Sequence, residues 1–421
     1  MRVPPVGRTV AVAAALALLA AVAVLIALPG REGPACPPRQ ITSWSAESRI
    51  TGEFTRYGND NTRVDDWTGG DGTHSVRLPD GRTLWLFSDT FLDRVQPPPN
   101  LHGQPHPWRS SDTGRDPAPT HNSLVVMDRA GRLEQTLTGT TGVGPGPFFP
   151  DTPDGWRWPV QARVEPRAPG SPEQVVRVLL WNRTPGQGPW VFGVPRSTEV
   201  ATLTLPDLRL ESIAPAVDQA AVRDPARRVL YGTASVQDGA WTYVYGGDDG
   251  PERPSSNAYL ARVPNGQLGE TGAWRFWDGR SWQPRADRAA PVIREGRGRG
   301  VGSSFTVVRD GGTWVLLTMD NPGAPGDALS SVTAYWACSA QGPWHGPAGR
   351  LAPPRPADPT GQHRVAAYNP QAHPEFTAGG GLLVSYDINW LGPPGAPSVA
   401  QVNSDVDLYR PRFLRLRLGH G

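Results

Sequence analysis

The sequence contains no lysine, so all 41 of its residues counted as lysine or arginine are arginine. These are nearly balanced by 39 acidic residues, which gives a formal net charge of +2 at pH 7. Nucleic-acid binding depends on clustered positive charge, and a chain this close to neutral offers no electrostatic case for it. We therefore expect no nucleic-acid partner. The exclusive use of arginine is typical of proteins encoded by GC-rich genomes.

The sequence also lacks the short motifs of common nucleotide and nucleophile sites. It has no P-loop, no dinucleotide-binding fingerprint and no nucleophile elbow. The glycine-rich segment 69–72 precedes no helical pattern, so it is no phosphate loop. No cysteines or histidines have the spacing of metal ligands, and we predict neither a cofactor nor a metal, with Ca²⁺ in an aspartate-rich funnel as the alternative.

Helical patterns are almost absent after residue 30, whereas the chain contains 49 glycines and 47 prolines. Glycine and proline interrupt regular secondary structure, so this many of them predicts many short strands joined by turns. The 16 tryptophans exclude a disordered chain, because disordered proteins contain few large aromatic residues.

The N-terminus has the pattern of an export segment. Arg2 and Arg8 precede an unbroken apolar run from Val10 to Leu28. Such a run is long for a cleaved signal and sufficient for one membrane span. Residues 1–31 are therefore a signal peptide or a retained signal anchor, followed by a linker over 32–40. We expect the rest of the chain to be secreted, or tethered to the outer face of the cytoplasmic membrane by this segment alone.

Only two cysteines occur, Cys36 and Cys338. In an oxidising compartment an even pair favours a disulfide, which would attach the N-terminal segment to the body of the domain. Two separate buried thiols are the alternative.

Strand-like segments recur with a period of about 60–90 residues, each unit beginning with an apolar hairpin, which is typical of a β-propeller. Turns such as 238–239 and 310–312 contain Asp-Gly, where a positive φ costs little. Five units result, and the fifth lacks an outer strand that segment 41–57 would supply. We predict an all-β, five-bladed β-propeller over residues 41–421, closed into a ring by its N-terminal strand, and we expect a monomer.

Propeller geometry places the candidate site. The first and second strands of a blade are antiparallel, so the start of one and the end of the next share a face. Polar residues occur at these positions in every unit, which predicts a single polar rim. The second strands end at segments 88–90, 182–184, 248–249, 320–321 and 387–389.

Asp71 and Asp89 are the candidate catalytic pair. Glycines on both sides leave the Asp71 carboxylate accessible at the start of the first innermost strand, and Asp89 ends the neighbouring strand. Glycosidic cleavage needs one protonated and one ionised carboxyl group, and crowding carboxylates separates their pKa values. The alternatives are that Asp71 only forms a turn and that Asp89 only caps a loop.

Five further residues of the rim are predicted to bind substrate. They are Asp248, Asp320, Asn369, His373 and Asp387. For Asp320 and Asp387, hydrogen bonding within the loops is the alternative. For His373, which is flanked by Ala372 and Pro374, a buried imidazole with satisfied hydrogen bonds is the alternative.

Several segments resemble secreted actinobacterial propellers known only as domains of unknown function. They are segments 70–75 (GDGTHS), 78–91 (LPDGRTLWLFSDTF), 241–246 (WTYVYG), 368–369 (YN), 373–375 (HPE) and 383–386 (LVSY). Those propellers are similar in architecture to arabinanases, fructosidases and levansucrases, and a related group includes endo-D-arabinanases. The resemblance implies a catalytic Asp near the start of the first innermost strand, a position that Asp71 matches. Gln161 stands in the second blade where the resemblance implies an acid.

Two functions are consistent with these observations. In the first, the protein is an exported glycoside hydrolase of a furanose-containing or cell-wall polysaccharide, with rim tryptophans and tyrosines stacking on the sugars. In the second, which Gln161 favours, it is a non-catalytic propeller that binds carbohydrate or another component of the cell envelope.

Overall fold

The computed structural model of the protein describes residues 36–60, 62, 66–111, 117–142, 144–188, 190–250, 255–319, 331–357, 365–376, 378–391 and 398–420. The predicted export segment 1–31, residues 32–35 of the predicted linker and the candidate residue Asp320 lie outside these ranges. Residues Pro38–Gly421 form one compact unit. Within the described ranges, no helix is long and apolar enough to cross a membrane.

The described chain begins with strand β1 (Gln40–Ala46) and helix α1 (Ser48–Gly58). Ile50, Phe54 and Tyr57 are the large buried residues of α1, and their spacing of three to four residues places them on one face of a helix. That face packs into an aromatic cluster with Trp67, Trp85, Phe87 and Phe413. The prediction of a strand over 41–57 is therefore right for its first part and wrong for 48–57, where the apolar spacing is helical.

The first blade is a sheet of four antiparallel strands in the order β3-β4-β8-β9. Two short pairs, β2 with β5 and β6 with β7, belong to its loops, and the hairpin β10–β11 follows it. The strands are β2 (Gly69–Gly70), β3 (His74–Arg77), β4 (Thr83–Phe87), β5 (Thr90–Phe91), β6 (Arg94–Gln96), β7 (Trp108–Ser110), β8 (Ser123–Met127), β9 (Leu133–Leu137), β10 (Gly139–Thr141) and β11 (Gly144–Gly146).

The second, third and fourth blades are also antiparallel meanders. The second contains β12 (Trp156–Pro166), β13 (Gln174–Thr184), β14 (Val194–Leu203) and β15 (Leu210–Asp218). The third contains β16 (Val229–Asp238), β17 (Trp241–Asp248), β18 (Ala258–Pro264), β19 (Arg275–Trp277) and β20 (Trp282–Gln283). The fourth contains β21 (Thr306–Asp310), β22 (Thr313–Met319), β23 (Val332–Ala337) and β24 (His345–Leu351).

The fifth blade closes the ring with both ends of the chain. Its described elements are β25 (Val365–Ala372), β26 (Leu382–Trp390), helix α2 (Val399–Ser404), a 3₁₀ turn (Val406–Tyr409) and β27 (Arg412–Gly419). The sheet order is β1-β27-β26-β25, so the N-terminal strand supplies the outermost strand of the last blade. The predicted five-bladed propeller, closed by its N-terminal strand, is confirmed. This pairing covers the edge of β27 that the C-terminal strands alone would leave unpaired.

The innermost strands contact each other in ring order, β3 with β12, β12 with β16, β16 with β21 and β21 with β25. The first and fifth blades are joined by hydrogen bonds from Thr73 to Asp387 and between Ser75 and His373. Buried aliphatic and aromatic side chains fill the spaces between successive sheets. Both cysteines, Cys36 and Cys338, are disulfide-bonded, and none of the described cysteines is free.

Candidate functional site

A cavity of about 390 Å³ lies at the face where the second strands of the blades end. Each of the five blades contributes to its wall. The polar lining residues include Asp71, His74, Ser88, Asp89, Arg183, Asp249, Ser303, Ser304, Tyr368, Asn369, Asn389 and Tyr409, and the aromatic ones include Phe91, Trp156, Trp158, Trp181 and Phe192. We call this cavity the central pocket.

Asp71 follows β2 and is held beside the end of β4 by backbone hydrogen bonds. Its N–H donates to the carbonyl of Asp89 (3.2 Å), and the N–H of Ser88 donates to the carbonyl of Asp71 (2.7 Å). The tight turn requires glycine at position 72, where φ is +65° and a Cβ would collide with the hydroxyl of Ser88. The hydroxyl of Tyr368 donates to Asp71 Oδ2 at 2.7 Å. The backbone thus places the two candidate catalytic residues side by side in one wall.

The surroundings of Asp89 differ from those of Asp71. Its Oδ1 accepts a hydrogen bond from Trp158 Nε1 at 2.9 Å, and that indole belongs to β12 of the next blade. Arg183 lies over the ring of Trp158, with its guanidinium carbon 5.3 Å from the ring centroid, and forms an ion pair with Asp249 at 2.6 Å. The donor to Asp89 is therefore packed under a buried cation that is itself anchored.

The electrostatics of the pocket separate the two carboxyl groups. Burial raises the pKa of Asp71 to about 6, although the hydroxyls of Tyr368 and Tyr409 favour its ionised form and lower it. Burial and then the charge of Asp71 raise the pKa of Asp89 to about 8, and its bond from Trp158 only partly opposes this. Near neutral pH the favoured state has Asp71 ionised and Asp89 protonated.

Asp387 is fully buried and does not line the central pocket. Its carboxylate accepts hydrogen bonds from Gly72 N (2.8 Å), Thr73 Oγ1 (2.7 Å) and Asn369 Nδ2 (3.3 Å). Burial and the nearby charge of Asp71 raise the pKa of Asp387 to about 7. Asp387 thus holds the turn that carries Asp71 and is placed to position it, which corresponds to the loop-bonding alternative.

Asn369 lines the central pocket and has a φ of +48°, in the left-handed region that asparagine tolerates better than most residues. Its amide donates to Asp387, so one side chain both faces the pocket and fixes the network beneath it. The structure therefore brings Asp71, Asp89 and Asn369 together at the pocket.

Two of the predicted substrate-binding residues lie away from the pocket. His373 is 1% exposed, and its ring nitrogens are hydrogen-bonded to Ser75 and Ser385. Burial lowers the pKa of His373 to about 3, which keeps the imidazole neutral. It is a satisfied core histidine, and its predicted contact with substrate is not supported.

Asp248 also faces away from the central pocket. Its carboxylate accepts hydrogen bonds from the backbone and side chain of Asn257 (2.8 and 2.7 Å) and from Tyr259 (3.3 Å). Its neighbour Asp249 lines the pocket instead, paired with Arg183. Successive side chains of a strand point to opposite sides. A prediction that is one residue off, Asp248 in place of Asp249, therefore selects a side chain on the wrong side of the strand. Asp320, the remaining candidate, lies outside the described residues.

Sequence reasoning missed several lining residues. Tyr368 directly precedes Asn369, a predicted site residue, and this adjacency is the sequence feature that could have identified Tyr368. Tyr409 comes from the 3₁₀ turn before β27 and carries no motif. Three of the five exposed large hydrophobic residues among the described ranges, Val191, Phe192 and Val399, also line the pocket. An apolar rim of this kind marks a binding surface.

The second blade supplies no acid at the position where one was implied. The Oε1 of Gln161 accepts a hydrogen bond from the N–H of Ala162 (2.9 Å), and Gln161 does not line the central pocket. Nor do the described residues contain a group of three or more histidine, cysteine, aspartate or glutamate side chains arranged to hold a metal ion.

A family model described as Domain of unknown function (DUF5005) matches residues 53–418. A proposed hydrolase from Bacteroides ovatus ATCC 8483 has a similar structure, with a TM-score of 0.60, 17% sequence identity and coverage of 88% of this chain and 89% of that one. Weaker likenesses include an arabinanase of Bacillus subtilis (TM-score 0.43, 7% identity, 84% and 95% covered) and an endo-arabinase of Bacteroides thetaiotaomicron VPI-5482 (TM-score 0.42, 12% identity, 84% and 96% covered). No curated protein matches the chain. At such identities the first structural likeness shows the shared fold alone, and the weaker ones carry no conclusion.

Proposed function

We propose a function for this chain, which belongs to the family described as Domain of unknown function (DUF5005): it is an exported glycoside hydrolase that cleaves a furanose-containing or cell-wall polysaccharide. The observation that carries the proposal is the placement of Asp71 and Asp89 in one cavity, in surroundings that favour opposite protonation states. Glycoside hydrolysis requires such a pair.

Asp89 is suited to the role of general acid. Its pKa, raised to about 8 by burial and by the charge of Asp71, keeps the proton on the carboxyl group at neutral pH. The proton can pass to the glycosidic oxygen as the bond to the leaving sugar breaks. Asp151, whose charge also raises the pKa of Asp89, opposes ionisation before that transfer.

Asp71 is suited to the second carboxylate role, that of a base for water or of a nucleophile at the reacting carbon. The hydroxyl of Tyr368 bonds its Oδ2, and Tyr409 also bonds the carboxylate, so both favour the ionised form. They also fix the direction in which the carboxylate faces the pocket. Asp387 holds the same turn by accepting hydrogen bonds from the backbone N–H of Gly72 and from the hydroxyl of Thr73.

The adjoining wall, supplied by the second blade, is aromatic and suits a sugar. Trp156 and Trp158 line it from β12, with ring centroids 5.7 Å apart, and Phe192 extends it at the rim. Sugar rings present apolar faces that stack on aromatic side chains, while their hydroxyls bond polar groups such as Asn369 and Ser303. This combination supports a carbohydrate as the ligand.

The second candidate is a non-catalytic propeller that binds a glycan of the cell envelope. The specific observation in its favour is that the second blade contributes Trp156, Trp158 and Trp181 to the described pocket wall, but no acid. This candidate keeps the aromatic wall as the binding site and assigns the carboxyl groups to hydrogen bonds with sugar hydroxyls.

The Asp71→Asn variant distinguishes the two candidates. Purified wild-type and variant ectodomains would be incubated with arabinan, fructan, galactan and xylan, and released reducing ends measured. We expect wild type to hydrolyse at least one glycan and Asp71→Asn to lose about 10³-fold or more of that activity, because the ionised carboxylate is gone. The matched control is Asp238→Asn, at the exposed end of β16, which should retain full activity. Equal activity of Asp71→Asn and wild type would remove Asp71 from catalysis.

A further inference from the structure

A second cavity, of about 430 Å³, adjoins the central pocket beside the first blade. Pro119 and His121 line both cavities, so the two share a wall. The second cavity is as large as the central pocket, and the reaction proposed for Asp71 and Asp89 makes no use of it.

His121 forms the ridge between the cavities and is fixed from both sides. Its imidazole stacks on Trp156, with ring centroids 5.2 Å apart and an interplanar angle of 19°. Its Nδ1 lies 2.9 Å from both carboxylate oxygens of Asp151. Trp156 lines the central pocket and Asp151 lines the second cavity, so one series of contacts crosses from one to the other.

The lining of the second cavity suits a neutral polyol. Ser110 and Thr120 offer hydroxyl groups, Asp93 and Asp151 offer carboxylates, and Arg94 contributes a guanidinium group. Proline rings, among them Pro119, supply flat apolar surface between these groups. A polyol can donate to the carboxylates and pack its carbon face on the prolines. The acidic side chains of the second cavity, Asp93 and Asp151, would repel a polyanionic chain.

We propose that the second cavity binds the continuation of a neutral polysaccharide chain that crosses the ridge at His121 and presents its scissile linkage to Asp71 and Asp89. This inference rests on the proposed function and narrows its substrate to polymers that occupy both cavities at once. Binding energy gained in the second cavity is remote from the reacting bond, and it raises kcat/KM for long chains over short ones.

Filling the second cavity tests this inference. Ala118 is exposed and lines the second cavity but not the central pocket, so Ala118→Trp places an indole where the chain would pass. The probes are linear oligosaccharides of arabinofuranose and of fructofuranose, from disaccharide to octasaccharide, together with the corresponding nitrophenyl furanosides. We expect the ratio of kcat/KM on the octasaccharide to kcat/KM on the nitrophenyl furanoside to fall at least about 10-fold in Ala118→Trp. The matched control is Ala130→Trp, in the exposed turn between β8 and β9, which should leave that ratio unchanged.

Calorimetric titration of the same oligosaccharides into Asp71→Asn, with and without Ala118→Trp, separates this inference from the proposed function. If wild type hydrolyses nothing, yet affinity rises with chain length and Ala118→Trp abolishes the rise, the second cavity is supported and the enzymatic function fails. If wild type hydrolyses the oligosaccharides but neither rate nor affinity depends on length, or Ala118→Trp leaves the dependence intact, the second cavity is rejected and the enzymatic function stands. Absence of both binding and hydrolysis contradicts both.

Discussion

Replacing Asp89 by Asn is expected to lower kcat on the polysaccharide by about 10²–10⁴-fold, because an amide cannot give a proton to the departing sugar oxygen. Hydrolysis of a nitrophenyl glycoside should fall far less, since that leaving group departs without protonation. In wild type, activity should decline as the pH rises through about 8, where Asp89 loses its proton. Asp89→Asn should lack this alkaline decline. The measurement is the pH dependence of kcat/KM on both substrates.

The Asp89→Asn variant has a matched control in Asp249→Asn, which changes a second aspartate of the same pocket. Asp249 pairs with Arg183 and does not contact Asp71 through any described hydrogen bond, so its variant should retain the alkaline decline. Equal losses of Asp89→Asn on the polysaccharide and on the activated substrate would contradict the assignment of Asp89 as the general acid.

The second large effect of replacing Asp89 by Asn concerns stability: the variant loses activity but is expected to gain free energy of unfolding. The pKa of Asp89 rises from an ordinary value of 3.8 to about 8 in the folded chain. Well below pH 3.8 the carboxyl group is protonated in both the folded and the unfolded chain, so its burial costs no stability. As the pH rises through this window, the unfolded chain releases the proton while the folded chain retains it, so the free energy of unfolding falls. Asp89→Asn removes this loss and should exceed wild type in unfolding free energy by about 3–5 kcal/mol at pH 8, and by less than about 1 kcal/mol at pH 4.

Urea denaturation of wild type and Asp89→Asn at pH 4 and pH 8 measures this difference. Asp238→Asn, which changes an exposed residue at a hairpin end, should show no gain at pH 8. A variant that is less stable than wild type at pH 8 would show that the folded protein favours the ionised Asp89, contrary to our interpretation.

These two predictions describe a compromise between the stability of the fold and the proposed general acid catalysis. Asp71, Asp89 and Asp387 are crowded in surroundings that raise the pKa of all three carboxyl groups, chiefly through burial. A fold selected for stability alone would not retain such a cluster, whereas general acid catalysis requires it. We therefore expect replacement of the Asp89 carboxyl group by an amide both to stabilise the protein at high pH and to inactivate it.

The architecture was predictable because its signals are local. Hairpins such as β21–β22 combine apolar strands with an Asp-Gly turn, and the spacing of the repeats indicates a propeller. Asp71 and Asp89 were also accessible, since the flanking glycines and the ends of neighbouring strands depend on short segments. The helix α1 was missed because three apolar residues at helical spacing are a weak pattern within a chain rich in strands.

The remainder of the site depends on contacts between distant segments. His373 was placed at the rim, but Ser75 and Trp85 of the first blade enclose its imidazole, and no local pattern shows that. The exchange of Asp248 for Asp249 reflects the alternation of side chains along a strand, which boundaries read from sequence do not resolve to one residue. Tyr409 reaches Asp71 from the far end of the chain.

The central claim is that Asp71 and Asp89 share one cavity and influence each other's ionisation. Carboxyl ¹³C NMR of aspartate-labelled protein, with the Asp89 signal assigned from Asp89→Asn, measures this without any substrate. We expect Asp89 to titrate near pH 8 in wild type and at a clearly lower pH in Asp71→Asn, where the opposing charge is absent. An Asp89 signal that titrates near its ordinary pKa of 3.8, or one that Asp71→Asn leaves unmoved, would contradict the account.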